Sequence, residues 1–215
     1  MNATEEAVGH NVVEARLAVY RFLTAALDKP TAEQHEWFSN RSFLASMEQV
    51  CASFGVPVPE GELAAADPAD HEARYIACFE VGLPTPPVVL LASHYNRREP
   101  VTAVIHEHIL FYHRFGATLS ASNREPADHL LSELAFLLHL DRLFLKGMPA
   151  DSLLLARRDF LHRHASRWPA KAAADAEEKC LPTVYRTLLA ILAVAVAEDL
   201  RLTEATLAQW RKVMP

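Results

Sequence analysis

Glycine is scarce in this 215-residue chain, with 6 copies against 13 prolines. Few residues are therefore suited to the tight turns of sandwiches and barrels, and the balance favours helices punctuated by proline. Cysteine is scarcer still. Cys51, Cys78 and Cys180 lie far apart with no C-x-x-C pair, which argues against a disulfide framework and for free thiols in a reducing compartment. Positive charge is in deficit, 21 Lys and Arg against 27 Asp and Glu for a net charge of -6, so no nucleic-acid partner is expected. The longest apolar run, Leu188 to Ala197, is too short to span a bilayer and reads as a buried helix. Met1 to Glu6 is acidic and lacks the apolar stretch of an export signal, so the expected location is cytoplasmic. G-x-S-x-G, Gly-rich phosphate-loop and Walker patterns are all missing, which removes the usual signatures of nucleophilic and nucleotide chemistry.

What is present is an apolar content of 51%, ample for a packed interior. Apolar residues recur at helical spacing, and no segment sustains strand alternation. Helices are expected at Ala32 to Phe38, Ser42 to Phe54 and Asp70 to Phe79, then from Glu99-Pro100 to about Phe115. Another is expected from Glu125-Pro126 to about Lys146, with Pro in its first turn and Gly147 as its stop. Ser152 to Arg167, Ala170 to Glu178, Thr183 to Leu200 and Thr203 to Lys212 complete the series. The reading is all-α, a single domain of about nine to eleven helices. It divides into N-terminal helices over 1–80, a Pro-rich hinge loop over 81–97 and C-terminal helices over 98–215. Pro84, Pro86 and Pro87 forbid a helix in that loop. Yet Val88-Val89-Leu90-Leu91 follows at once, and so apolar a run must lie against the chain's own core or a neighbouring subunit.

Histidine, with 11 copies, invites a metal reading. His106 and His108 are two positions apart, so a helix turns them about 200° from each other and they cannot share a metal. His162 and His164 fail alike. His106 and His113 share a face but have no evident third ligand, so no metal site and no catalytic residue is expected. Glu125-Pro126-Ala127-Asp128-His129 is the remaining constellation. It places acids where a helix's unpaired N–H groups favour negative charge, just ahead of Leu130, Leu134, Leu137 and Leu138. Glu133 lies one turn beyond His129 and is within reach of its ring. On spacing alone this is a well-capped core helix, or an acid–imidazole pair at the rim of an apolar surface.

Three segments together resemble the TorD/DmsD family of maturation chaperones for molybdenum enzymes. Glu125-x-x-Asp128-His129-x-x-x-Glu133-Leu134-x-Phe136 is similar to the family signature. Tyr75-x-x-x-Phe79-x-x-Gly82, Pro84-x-Pro86-Pro87 and Ser93-His94-Tyr95 resemble its aromatic, proline-rich loop. Phe160-x-x-x-His164-x-x-x-Trp168 is similar to a later helix. The resemblance implies an all-helical fold without catalytic turnover. It also implies binding of the catalytic subunit of a molybdopterin oxidoreductase and its twin-arginine leader peptide, and help with insertion of the molybdenum cofactor, with no cofactor held permanently. The partner-binding residues carried over are Glu125, Asp128, His129, Glu133, Tyr75, Phe79, Pro86, Pro87, Ser93 and Tyr95. The loop's Leu90-Leu91-Ala92-Ser93-His94-Tyr95 looks like the branch serving ethylbenzene and dimethyl sulfide dehydrogenases and selenate and chlorate reductases. Val88 and Val89 stand where several members carry Trp-Gly-Ser. A monomer or homodimer is expected. The alternative reading is a helical enzyme or metal-binding protein that uses Asp128 and His129 in acid–base chemistry.

Overall fold

The computed structural model describes residues 3–60, 63–118 and 125–213. Ten α-helices occur among them. The first four are α1 (Ala3–Ala26), α2 (Ala32–Phe38), α3 (Arg41–Phe54) and α4 (Pro68–Phe79). After the Pro-rich stretch come α5 (Ala92–Tyr95), α6 (Val101–Arg114), α7 (Leu130–Leu145), α8 (Ala150–Phe160), α9 (Pro169–Glu178) and α10 (Thr183–Val213). Local chemistry accounts for many of the boundaries. Thr31, Asn40 and Asp67 each turn a side-chain oxygen onto the first-turn N–H groups of α2, α3 and α4, satisfying donors that have no partner within the helix. Gly55 and Gly147 follow α3 and α7 with φ of 64° and 83°, a left-handed conformation that a side chain would penalise.

Three expectations need correction. The helix expected from Pro126 starts at Leu130, with His129 as its cap. Residues 126–129 form a turn instead, in which the His129 N–H donates to the Pro126 carbonyl at 3.0 Å. The helix expected over Ser152 to Arg167 divides, since α8 ends at Phe160 and one turn of π-helix covers Leu161–Ala165. The two helices expected after residue 183 are one, α10, 31 residues long. Neither Gly nor Pro lies between Leu200 and Thr203. The Thr203 hydroxyl donates back to Asp199, one turn earlier, at 3.4 Å, so its side chain bonds within a helix that runs on without a break.

Helix α1 packs on α7 and α10, and α10 packs along α8, α9 and α3. The interior they share is mostly apolar and encloses a buried ionic knot. Arg157, 2% exposed, donates from Nε and Nη2 to Asp199 and from Nη1 to Asp141, at 2.7–3.0 Å. Arg16 adds a bond to Asp141 at 2.8 Å, and the Tyr20 hydroxyl donates to Asp199 at 2.7 Å. Two guanidinium groups thus face two carboxylates, so the burial of charge is matched one for one.

The Pro-rich stretch has two parts. Val81, Leu83, Pro84 and Thr85 are exposed, while Pro86 and Pro87 are half-buried. Gly82 allows a close fold-back, because a Cβ there would strike the Thr85 carbonyl. From Val88 onward the chain enters the core. Val88 and Leu90 are buried, and the Val88 N–H donates to the Cys78 carbonyl of α4 at 3.1 Å. The apolar run therefore lies against the molecule's own interior. Among the described residues no strand forms; the only pairing is an isolated antiparallel bridge between Leu91 and His129.

Candidate functional site

The bridge brings together the two segments singled out by sequence. Leu130 N–H donates to the Leu90 carbonyl at 2.9 Å, and Ala92 N–H to the Asp128 carbonyl at 2.9 Å. The Asp128 side chain adds a third link, its Oδ2 accepting from the Ser93 N–H at 3.0 Å. Asp128, Ser93 and His129 are all buried here. Asp128 thus holds the loop to the entrance of α7 through both its backbone and its side chain. His129 caps α7, with Nδ1 accepting from the Leu131 N–H at 3.3 Å. That leaves Nε2 as the protonated nitrogen, 3.5 Å from Glu125 Oε2. Burial holds the His129 ring below the usual histidine pKa, against the pull of Glu125 and Asp128.

Glu133 is placed otherwise than its spacing suggested. Its partner is not His129. Oε1 meets Nε2 of His108 on α6 at 2.8 Å, and Oε2 accepts the indole N–H of Trp168 at 2.9 Å. His108 Nδ1 lies 2.8 Å from the Val104 carbonyl. A carbonyl only accepts, so Nδ1 carries a proton and a further proton lies between Nε2 and the carboxyl. Burial pushes Glu133 above the ordinary carboxylate range, opposed by His108. Burial would lower His108, but the Glu133 hydrogen bond and charge prevail and raise it. His164 packs against His108, with ring centroids 4.1 Å apart and the planes tilted by 50°. Burial first, and then the charges of His108 and Arg163, push it down to about 3.

Tyr75 and Phe79 sit on the inner face of α4, packed together at 5.0 Å and against Tyr185 of α10. The Tyr75 hydroxyl donates to the Leu27 carbonyl at 3.2 Å. After burial, the charges of Asp28, Glu80 and Glu125 raise its pKa further; all three carboxylates are exposed, and Glu80 lies 3.6 Å from Lys29. Tyr95, half-buried, stacks on Trp168 at 5.5 Å with ring planes 14° apart. The loop residues Ser93 and Tyr95 are thereby joined to the α7 entrance and to α9. Tyr75 and Phe79 form a separate aromatic group beneath the acidic rim.

Sequence reasoning missed His108, Trp168 as a donor to Glu133, and the Arg157 knot. Arg157 carried a visible signal, because it stands at helical spacing between Leu153 and Phe160 on an otherwise buried face. Among the described residues no three His, Cys, Asp or Glu side chains converge as metal ligands, and no helix is long and apolar enough to cross a membrane.

The family described as nitrate reductase delta subunit matches residues 29–174, more than half of the chain. The chain is similar to a perchlorate reductase assembly chaperone protein from Dechloromonas aromatica (strain RCB), 27% identical over 187 residues that cover 81% of this chain and 84% of that one. A selenate reductase assembly chaperone protein from Thauera selenatis is 36% identical over 101 residues, 45% of this chain and 52% of its own. A chlorate reductase assembly chaperone protein from Ideonella dechloratans is 34% identical over the same coverage, 45% and 52%. The aligned part thus spans about half the length of these last two relatives.

Proposed function

We propose that this chain, which belongs to the nitrate reductase delta subunit family, is a dedicated assembly chaperone for a molybdenum-containing oxidoreductase. It binds its client and turns over no substrate. The observation that carries this reading is the relationship to assembly chaperones of three reductases, one of them aligned over 81% of the chain.

The client is the catalytic subunit before export, met in the cytoplasm, and its twin-arginine leader is the segment recognised at the acidic rim. Geometry supports that assignment. Asp28, Glu80 and Glu125 lie around Tyr75, and exposed Val81 and Leu83 stand next along the chain. A leader with a cationic start and an apolar middle finds complementary groups for both parts. Among the residues marked by sequence, Glu125, Pro86, Pro87 and Tyr95 are accessible enough to touch a partner. Asp128, His129, Glu133, Ser93, Tyr75 and Phe79 are buried and act by fixing the shape that the others present. Holding the subunit open for cofactor insertion is the service the bound state provides.

The test is affinity purification from cells expressing a molybdopterin oxidoreductase, followed by mass spectrometry. The expected result is co-purification of the catalytic subunit, weakened when Glu125 and Glu80 are changed to Lys. Failure to capture either the leader or the mature subunit would refute the reading.

A further inference from the structure

Beside the α5 turn, with Ala92, His94 and Tyr95 in its wall, lies a cleft of about 590 Å³. Arg97, Arg98, Arg163, Arg167 and Lys171 line it, with Asp175 as the one carboxylate among the lining residues. Only Arg163 is engaged in an ion pair, with Glu107. The other four cations have no carboxylate partner among the described residues, in a protein whose net charge is -6. The cleft also reaches the core. Tyr95, Trp168 and His164 line it, and His164, 4% exposed, has an Nε2 that makes no hydrogen bond although Glu107 lies 3.4 Å away.

We infer that this cleft binds an acidic polypeptide segment of the client, at a position distinct from the leader. That the occupant is polypeptide rests on the chaperone reading above; that it is acidic follows from the cleft itself. A cationic leader would be repelled here. The cleft also lacks the features of a phosphate cradle, which is built from converging backbone N–H groups at glycine-rich turns or helix N-termini. No glycine lines it. The adjacent α9 begins with Pro169, which has no N–H, and the N–H groups of Lys171 and Ala172 both donate to the Trp168 carbonyl. The positive charge sits instead on long, exposed side chains from two separate parts of the chain, 97–98 and 163–171. Such arms suit carboxylates spaced along an extended chain better than one compact anion. Ala92, Val104, Ala174 and the Tyr95 ring give the intervening residues an apolar wall. The cationic cleft and the acidic rim, being of opposite sign, then fix the direction in which a client lies across the molecule.

The experiment is fluorescence anisotropy with a labelled hexaglutamate peptide on the full chain. Saturable binding that weakens with salt is expected, and hexalysine should not bind here. Arg167→Glu with Lys171→Glu is expected to weaken binding about tenfold or more, since each exposed pair is lost and replaced by repulsion. Arg97→Glu with Arg98→Glu serves as an independent second variant. All four side chains are exposed, and circular dichroism checks the fold of each variant. Absence of hexaglutamate binding, or binding that neither variant weakens, would overturn the inference. So would displacement by inorganic pyrophosphate at lower concentration than by free hexaglutamate, which would mark a phosphate site. A chain that co-purifies with its client yet ignores hexaglutamate keeps the chaperone role and loses this cleft assignment.

Discussion

The Ser93 N–H and the Asp128 carboxylate, 35 residues apart in sequence, meet at 3.0 Å and close the loop onto the start of α7. One oxygen of Asp128 does this alone, because Oδ1 has no hydrogen-bond partner.

Asp128→Ala is therefore expected to cost about 1–3 kcal/mol, the penalty of leaving a buried N–H unmatched. Asp128→Asn keeps an acceptor oxygen and should cost less. Hydrogen exchange at residues 92–96 should accelerate in the Ala variant and stay near wild type in the Asn variant. Equal exchange in both would show that the side chain is not what holds the loop.

The two parts of the Pro-rich stretch should respond oppositely to the same change. Leu90→Ala removes a buried side chain and is expected to cost about 2–5 kcal/mol. Leu83→Ala, at a fully exposed position, should alter stability by no more than about 0.5 kcal/mol. Urea denaturation of the pair decides it.

Helix periodicity and capping residues made most of the fold legible in the sequence, because α2, α3, α4 and α6 depend on residues within a turn or two of their ends. Glu125-Pro126 misled for the opposite reason. Acid and proline there are what a helix's first turn prefers, but the Leu130 N–H and the Asp128 carbonyl pair with residues 90 and 92, which no local pattern reveals. The signature residues were legible as a group, whereas their division of labour was not. Spacing offered His129 to Glu133, while the fold brings His108 from another helix.

Acid should weaken the fold through His164. Its folded pKa, down to about 3, lies below the unfolded value near 6.5. Between those values the unfolded chain binds the extra proton, so stability falls as pH drops from about 6.5. At pH 5 the loss reaches roughly 2 kcal/mol. His108 has the opposite sign: its raised pKa stabilises below about 6.5 and fades as pH rises through the folded value. His164→Phe, among the rings of Phe111 and Phe160, should flatten the decline between pH 6.5 and 5 in thermal melts. An unchanged slope would assign the acid sensitivity elsewhere.

Arg157→Met leaves Asp141 and Asp199 buried beside Arg16 alone, and should cost about 3–5 kcal/mol. Arg157→Lys is expected to recover only part of this, since one ammonium cannot reproduce the forked contacts to two carboxylates. Chemical denaturation of the three proteins measures the difference.

The same knot sets a timetable for synthesis. Tyr20 and Asp199 are separated by 179 residues. At typical translation rates roughly 10–35 s pass between the emergence of one and the other. Throughout that interval Arg16 lacks the carboxylate that α10 supplies, as does Arg157 once it is made, 42 residues before Asp199, so water must solvate both and α1 cannot seat fully. A ribosome stalled before Asp199 would hold a chain whose first helix is still waiting for its last.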